Sequence, residues 1–394
     1  MIYLDNNATT QPSERAIEAL TSAMRTTWAN PSSVHRLGME AKRALEAARA
    51  QFATLLGARA RSIVFTGSGT ESIAMALRGT LLAHKDTGRD TIITTKVEHA
   101  AIRDLAQSLQ KEGTGHVRFA HVDPQGRIDP DSIADLIDDR TALVSAQWVN
   151  NETGTIQNIE AIGALCAKHN IPFHCDATQR VGKAPVNLHS DDPALGSTIS
   201  LLSCAPHKFH GPKGLGILYT RPGTRLVPTT PGSQELGRRG GTEPVPTIAA
   251  AGAAAQEAHE WLQDPAPRTE LEHLRNHLEH SVVERCAEFI PSGLTINSAQ
   301  APRIWNTTNI AFTRLEAEAL LLALSERGLC ASAGAACSSG SLDPSPVLLE
   351  MGLPEPSAHG SVRFSLSKHT TKDDIDQAID IITDAVRVVS RSMP

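Results

Sequence analysis

The chain has 394 residues, of which 40% are apolar and 20% are charged, and its formal net charge is −6. These values are ordinary for a globular protein, and the negative charge argues against nucleic acid as the main partner. The sequence contains no run of the roughly 18 apolar residues that a membrane span needs. We also expect no signal peptide, because no basic region followed by an apolar stretch opens the chain.

The six cysteines form no C-x-x-C pair, so the sequence predicts neither a metal site nor a disulfide framework. Free thiols favour a cytoplasmic protein. At this length two domains are the default expectation.

The first part of the chain predicts a polar turn followed by two helices. The turn covers residues 5–10, and Ser13 is a plausible N-cap for a helix that runs to about Met24. Pro31 breaks helical continuity in the loop at 28–35. An amphipathic helix is expected over 38–56, closed by Gly57.

From residue 62 onward, short apolar runs alternate with helical patterns. Strands are expected at 62–65, 91–95, 117–122, 142–149, 171–175, 199–203 and 215–219, with intervening helices at 70–82, from 99 to about 110 and at 159–169. Strands that alternate with helices imply a mainly parallel, doubly wound α/β sheet.

The rest of the chain predicts a smaller α/β unit. A Gly/Pro-rich stretch at 228–246 is expected to cross the surface or a subunit interface, and an Ala-rich helix at 247–262 follows it. Further elements are expected at 271–286, 309–312, 316–327, 361–366 and from 372 onward, with a Ser/Ala/Gly/Cys-rich mobile loop at about 330–341. We expect a large domain over 13–262, and a small domain formed by 1–12 and 263–394.

Unusual polar residues come directly after the predicted strands. They are Gly69 and Thr70, His99, Asn151, Asp176 with Gln179, and His207 with Lys208. Ligands of open α/β sheets bind beyond the carboxyl ends of the strands, so five such positions in series suggest a single cleft.

Lys208 lies on a loop between two buried strands, where its amine would be held rigidly in that cleft. A partly desolvated amine can form a Schiff base with an aldehyde cofactor. Lys213 on the same loop competes with it, and spacing alone does not choose between the two.

The other residues each have a use if the ligand is pyridoxal 5′-phosphate. The turn at 67–70 opens a helix whose amides would hold the phosphate, although taken alone it reads as a plain strand–helix turn. Asp176 could keep the pyridine nitrogen protonated, or cap a helix. His99 could lie on the ring and move protons, or be a core histidine. Asn151 and Gln179 could contact the ring oxygen, or be turn residues.

Eight motifs, in order from Tyr3 to the last helix, resemble the cysteine desulfurases of the nitrogen-fixation and iron–sulfur-cluster type. They are YLDNNATT, NPSSVH, FTGSGTES, VEHAAI, WVNNETGTIQ, HCDATQ, HKFHGPKG and GAACSSGSLDPS. The resemblance implies a fold-type-I pyridoxal-phosphate enzyme of the class V aminotransferase family, with a mainly parallel seven-stranded sheet, working as a homodimer.

The resemblance also assigns roles to individual residues. Lys208 would be the cofactor lysine, Asp176 the pyridinium partner and His99 the stacking residue, with Asn151 and Gln179 on the ring and its oxygen. Gly69, Thr70 and His207 would surround the phosphate, and Thr242 would reach the phosphate of the neighbouring subunit. Arg363 would hold the substrate carboxylate, with Asn30 as a helper.

One departure from the family concerns the phosphate site. Many members have Ser-Gly or Ser-Ala before His-Lys, whereas this chain has Ala205-Pro206. A serine hydroxyl is therefore missing, and we expect either a slightly weaker phosphate site or compensation from Ser203.

Cys337 is the predicted second reactive centre. Small residues surround it, so the thiol should be accessible on a flexible loop. A passive surface thiol is the simpler alternative, and Cys330 is a competitor whose apolar neighbours favour burial. The resemblance implies that L-cysteine is converted to L-alanine while Cys337 takes the sulfur as a persulfide, for an acceptor or iron–sulfur scaffold protein. An aminotransferase, a selenocysteine lyase and a non-catalytic sulfur carrier are the alternatives.

Overall fold

The computed structural model describes residues 1–189, 191–192, 194–333 and 343–392. Its strands are β1 (Ile2–Tyr3), β2 (Ile63–Thr66), β3 (Thr91–Thr94), β4 (His116–Phe119), β5 (Thr141–Gln147), β6 (Phe173–Asp176), β7 (Leu201–Cys204), β8 (Gly216–Thr220), β9 (Leu294–Ile296), β10 (Thr307–Phe312), β11 (Leu329–Cys330) and β12 (Ser361–Ser365).

The α-helices alternate with these strands and cover their faces. They are α1 (Glu14–Thr26), α2 (Arg36–Leu56), α3 (Gly69–Ala83), α4 (Ala100–Glu112), α5 (Pro130–Leu136), α6 (Ile159–Lys168), α7 (Val245–Leu262), α8 (Ala266–Cys286), α9 (Ala317–Glu326), α10 (Pro346–Glu350), α11 (Glu355–His359) and α12 (Lys372–Ser392). Within the described ranges, none of these helices is long and apolar enough to cross a membrane.

A seven-stranded sheet forms the centre of the molecule, in the order β2-β8-β7-β6-β5-β3-β4. Strand β8 runs antiparallel to β2 and β7, and the other pairs between β7 and β4 are parallel. The prediction of a mainly parallel seven-stranded sheet is therefore confirmed.

The central strands are buried on both faces because helices pack on either side of the sheet. Every residue of β5 is buried, and Ile92 and Ile93 of β3 are completely inaccessible to solvent. This explains why the strands read as continuous apolar runs rather than as alternating patterns. It also means that polar side chains gather where the strands end.

Two smaller sheets lie outside the central one. Strands β12, β10 and β9 form an antiparallel sheet, and β1 pairs in parallel with β11. The pairing of β1 joins the N-terminal residues to the C-terminal part of the chain. For this reason we propose the division into 13–262 and 1–12 with 263–394 as two domains.

The elements that the sequence did not predict are short. They are β1, α5, β9, β11, α10 and α11, which are between two and seven residues long. Helices of five to seven residues have little intrinsic stability, and their periodicity is too brief to read. Tertiary contacts such as the pairing of Ile2 with Leu329 hold them in place.

Candidate active site

A cavity of about 350 Å³ opens at the carboxyl edge of the central sheet. The predicted residues that line it are Gly69, Thr70, His99, Asn151, Asp176, Gln179, His207, Lys208 and Arg363. The carboxyl ends of β2, β3, β5, β6 and β7, and the loops that follow them, provide all but the last of these residues. Arg363 comes from β12 in the smaller sheet.

Lys208 ends a 3₁₀ turn between β7 and β8, formed by Pro206–Lys208. The turn is tight: a side chain at Gly211 would place its Cβ only 2.6 Å from Pro206 Cβ. The Lys208 Nζ donates to the backbone carbonyls of Asn7 at 2.7 Å and Ala8 at 2.8 Å. The amine is therefore held at the cleft by the N-terminal segment of the chain.

Lys213, the alternative lysine, is exposed and does not line the cavity. It lies in the exposed part of the loop shortly before β8, away from the carboxyl ends of the parallel strands. The geometry therefore favours Lys208 over Lys213 as the lysine that would hold the cofactor.

Asp176 is the last residue of β6 and is 5% exposed. Its Oδ1 accepts from Thr178, through the amide at 3.0 Å and the hydroxyl at 2.5 Å, and from Ser203 Oγ at 3.4 Å. Since all three fall on Oδ1, Oδ2 is the oxygen that could accept from a pyridinium N–H.

His99 caps the N-terminus of α4, where its Nδ1 accepts from the Ala101 amide at 3.1 Å. When the imidazole is neutral, its proton therefore lies on Nε2. Burial lowers the pKa of His99, and the charges of Lys208 and Arg103 act in the same direction, whereas Asp176 opposes them. The residue is thus a neutral imidazole that carries its proton on a known atom near neutral pH.

The N-terminus of α3 forms one end of the cavity. Ser68 Oγ accepts from the Glu71 amide at 3.0 Å, and Glu71 Oε2 accepts from the Gly67 amide at 2.6 Å, which together make a reciprocal cap. The amides of Gly69 and Thr70 start the helix and have no intrahelical acceptor. They are donors suited to an anion such as phosphate.

His207 and Ala205 complete the same end of the cavity. His207 packs against the N-terminal segment through Nδ1, 3.1 Å from Thr9 Oγ1, and burial lowers its pKa to about 4. Ala205 lines the cavity with a methyl group where a hydroxyl could have donated. The phosphate end therefore has one donor fewer than a serine would give it.

Of the two alternatives for the missing serine, the geometry does not support compensation by Ser203. The Ser203 side chain is completely buried and does not line the cavity. Its Oγ lies 3.1 Å from His174 Nε2 and 3.4 Å from Asp176 Oδ1. Because Ser203 pairs with Asp176 across β6 and β7, its hydroxyl supports the carboxylate rather than the phosphate end.

Taken together, these groups fit pyridoxal phosphate. The cavity joins a helix N-terminus for the phosphate, a carboxylate with an available oxygen for the ring nitrogen, and a lysine amine. Its size lies in the range of small-molecule sites.

Gln179 and Asn151 also line the cavity. The Gln179 amide donates through Nε2 to Asn7 O at 3.0 Å. The backbone carbonyl of Asn151 accepts from Asn7 Nδ2 at 3.1 Å and from Arg363 Nη1 at 3.0 Å. Asn151 thus positions Arg363 through its backbone, a contact that the sequence did not indicate.

Arg363 is 2% exposed and lies in β12. Its Nη1 donates to Asn151 O, and its Nη2 donates to Asp5 Oδ1 at 2.7 Å. The Nε is buried and has no acceptor among the described residues. A buried guanidinium with an unused donor at a cavity wall is suited to bind a carboxylate.

Some predicted residues lie elsewhere. The exposed Asn30 does not line this cavity, and its Oδ1 accepts from the Ser32 amide at 2.9 Å within its own turn. Thr242 is also exposed and outside the cavity of its own chain. Cys337 lies outside the described residues. Cys330 is half-buried in β11, where burial had been expected.

The structure adds three residues that sequence reasoning missed: Asp5, Asn7 and Lys183. Asn7 accepts at Oδ1 from Lys183 Nζ at 2.8 Å, and Asp5 pairs with Arg363. Lys183 could have been found from the sequence, because it is the one charged residue among the apolar and small residues at 181–184. Asp5 and Asn7 gave no local signal beyond a polar turn.

Comparison with known proteins shows similarity along nearly the whole chain. The family model described as Aminotransferase class-V matches residues 2–378. A protein of Trichormus variabilis named "Cysteine desulfurase 2" is 42% identical over 99% of this chain and 95% of its own length.

Solved structures agree with this relationship. One titled "NIFS-LIKE PROTEIN" superposes with a TM-score of 0.87, at 32% identity over 97% of this chain and 98% of the other. Another, titled "SspA in complex with cysteine", has a TM-score of 0.76 at 31% identity, over 94% of this chain and 100% of the other. With a cavity that fits pyridoxal phosphate and similarity along its full length, the chain belongs to the class-V aminotransferase family and, within it, to the cysteine desulfurases of NifS type.

Proposed function

We propose that this protein converts L-cysteine to L-alanine with pyridoxal phosphate as cofactor, and that Cys337 receives the sulfur as a persulfide. The observation that carries the proposal is the convergence of Lys208, Asp176 and Arg363 on one cavity of about 350 Å³. An amine, a carboxylate and a guanidinium with an unused donor are the groups that an amino-acid substrate and an aldehyde cofactor need.

Pyridoxal phosphate supplies an electron sink when bound, which allows bonds at the substrate α-carbon to ionise. The residues that would hold it are the amides of Gly69 and Thr70 with His207 at the phosphate, Asp176 at the pyridine nitrogen, and Lys208 as the point of covalent attachment. Asn151 and Gln179 would contact the ring and its oxygen.

Two side chains are suited to move protons in the reaction. The Lys208 amine donates to the backbone carbonyls of Asn7 and Ala8, which hold it at the cleft. We assign it the α-proton of the substrate. His99, a neutral imidazole with its proton on Nε2, is suited to donate a proton and to accept one in return.

Arg363 is the proposed partner of the substrate carboxylate. Asp5 and the carbonyl of Asn151 fix the guanidinium from one side, so it does not have to be ordered when the substrate arrives. Its buried Nε supports this role, because a carboxylate would satisfy a donor that otherwise has no acceptor among the described residues.

The proposed role of Cys337 is supported by the residues on either side of it. Ser332 pairs with Arg363 through both backbone bonds, and Ser345 Oγ donates to Glu152 Oε2 at 2.5 Å, next to Asn151. Cys337 follows Ser332 by five residues, a length of chain that spans at most about 18 Å. Both anchors thus lie beside residues that we assign to the cleft.

The sulfur transfer balances without an external oxidant. The Cys337 thiolate forms an S–S bond with the substrate sulfur while the substrate C–S bond breaks, and the bonding electron pair stays with the carbon fragment. That fragment takes up a proton and leaves as alanine. The cysteine sulfur is then held on the protein as a persulfide, which a second thiol can accept.

We further propose that the protein works as a homodimer in the cytoplasm and passes sulfur to an acceptor or iron–sulfur scaffold protein. The exposure of Thr242, in a segment tied to α3 by the 2.8 Å pair of Arg239 with Glu71, supports a role at the neighbouring subunit. The described cysteines are all free thiols, which suits a reducing compartment.

The test compares wild type with Cys337→Ser, using Cys330→Ser as the matched control. Alanine and sulfide are measured from L-cysteine in the presence of a thiol reductant. We expect Cys337→Ser to lose sulfide release by at least a hundredfold, and Cys330→Ser to retain it. Cys337→Ser with the normal rate of sulfide release would refute the proposal.

Two measurements separate the alternatives. An aminotransferase would form amino acid from a keto acid in place of alanine from cysteine. A non-catalytic sulfur carrier would show no visible absorbance after incubation with pyridoxal phosphate.

A further inference from the structure

Lys183 lies beside the cleft without lining it. The residue is 5% exposed, and its Nζ donates to Asn7 Oδ1 at 2.8 Å and to Gln179 Oε1 at 2.5 Å. No carboxylate among the described residues forms an ion pair with it. A buried amine without a counter-charge is costly, so its position calls for a reason beyond packing.

The hydrogen bonds around Asn7 fix the orientation of its amide. Its Nδ2 donates to the carbonyl of Asn151 at 3.1 Å and to Thr307 Oγ1 at 2.9 Å. Its Oδ1 accepts from Asn306 Nδ2 at 3.1 Å and from Lys183. The Asn7 side chain is therefore held by four bonds, and Lys183 is the amine among its donors.

The orientation of the Gln179 amide follows in the same way. Its Nε2 faces a backbone carbonyl, that of Asn7, so its oxygen must face Lys183. One hydrogen of Nε2 goes to Asn7, which leaves the second for an acceptor in the cleft. In this orientation Gln179 donates to the cleft, as a negatively charged ring oxygen requires.

Lys183 also reaches Lys208 through Asn7. The Asn7 carbonyl accepts from both Lys208 Nζ at 2.7 Å and Gln179 Nε2 at 3.0 Å. A cavity of about 20 Å³, large enough for one water molecule, is lined by both Lys183 and Lys208. Burial first, and then the charges of Lys208 and Arg363, lower the pKa of Lys183 well below its ordinary value.

We propose that Lys183 is a positioning residue for the reaction: it turns the Gln179 amide toward the cofactor and, through Asn7, holds the Lys208 amine. The proposal rests on the proposed function, because both residues act on pyridoxal phosphate. Lys183 would act from outside the cavity, through Asn7 and Gln179, and would not itself contact substrate or cofactor.

Lys183→Met tests this, because methionine keeps much of the buried length but cannot donate. Full-length wild type and variant are loaded with pyridoxal phosphate, and the visible absorption band is followed from pH 5.5 to 9.5. We expect the pH midpoint of the spectral change in Lys183→Met to rise by at least half a unit. The reason is that Lys183→Met removes the amine that orients the Gln179 donor toward the cleft, and that donor favours loss of the proton in wild type.

A second readout uses the full-length protein freed of cofactor. Covalent capture of pyridoxal phosphate needs the Lys208 amine to be held at the cleft, so the variant, in which Asn7 loses its bond to Lys183, should capture it at least threefold more slowly at pH 7. Lys168→Met, which removes an exposed lysine at the end of α6, is the matched control and should behave as wild type in both experiments.

Lys183→Gln decides the matter if Lys183→Met fails to fold by circular dichroism. Lys183→Gln keeps a neutral donor at the site. We expect its pH midpoint to lie above that of wild type and, where Lys183→Met folds, below that of Lys183→Met. Midpoints equal to wild type in the folded variants, even with lowered melting temperatures, would overturn the inference. A wild type with no visible band would instead overturn the proposed function.

Discussion

Ala205→Ser should tighten the binding of pyridoxal phosphate. Ala205 lines the cavity, and a Cβ added at Gly69 would lie only 3.3 Å from the Ala205 methyl group, so the two positions adjoin at the helix N-terminus. A serine hydroxyl there adds a donor to the phosphate. A hydrogen bond to a charged group contributes about 1.5–3 kcal/mol, which corresponds to a roughly 10- to 100-fold lower dissociation constant.

The assay titrates the cofactor-free protein with pyridoxal phosphate and, in parallel, with pyridoxal. Only the phosphorylated compound should bind more tightly to Ala205→Ser, because the new hydroxyl addresses the phosphate alone. Ala205→Gly, which adds no donor, is the matched control and should show no gain. Equal gains for both compounds, or no gain for either, would refute the assignment of this end of the cavity to phosphate.

Two further predictions concern the substrate and the stability of the site. Arg363→Lys should raise the KM for L-cysteine by roughly 10- to 100-fold, with a smaller effect on kcat, because lysine lacks the planar fork that can grip a carboxylate; an unchanged KM would contradict the assignment. Burial raises the pKa of Glu98 to about 8, so the folded protein keeps a proton that the unfolded chain, with the ordinary pKa of 4.5, releases at lower pH. Glu98 therefore costs stability increasingly between about pH 4.5 and 8. Chemical denaturation should show the stability advantage of Glu98→Gln growing from pH 5 to pH 8, and a pH-independent difference would contradict this reasoning.

The sequence was sufficient to predict the cleft because parallel strands bring their carboxyl ends to one edge. His99, Asp176 and Lys208 each follow or end a strand that is buried on both faces, and polar side chains at such positions have only the cleft to face. The predicted strand positions alone were enough to bring these residues to one edge of the sheet. Their hydrogen-bond partners were not needed for that step.

The supporting contacts could not be predicted, because they depend on strand register and on distant parts of the chain. Ser203 was one of two alternatives considered for the phosphate site, but its pairing with Asp176 turns the hydroxyl toward the carboxylate. Lys183 and Asn7 meet across 176 positions of sequence. A local pattern carries no information on such pairs, and Asn30 and Thr242 show the same limit, since neither lies in the cleft of its own chain.

The N-terminal segment connects Arg363, the proposed partner of the substrate carboxylate, with Lys208, the proposed cofactor lysine. Asp5 accepts from Arg363, while the carbonyls of Asn7 and Ala8 accept from Lys208, so the groups proposed for the substrate and the cofactor both contact one short segment of the chain. A carboxylate that binds Arg363 would meet a guanidinium already paired with Asp5, which precedes by two residues the Asn7 carbonyl that accepts from Lys208. The pairing of β1 with β11 fixes the same segment to the strand that leads toward Cys337. Residues 2–8 thus contact Arg363, Lys208 and β11 within one short segment of chain.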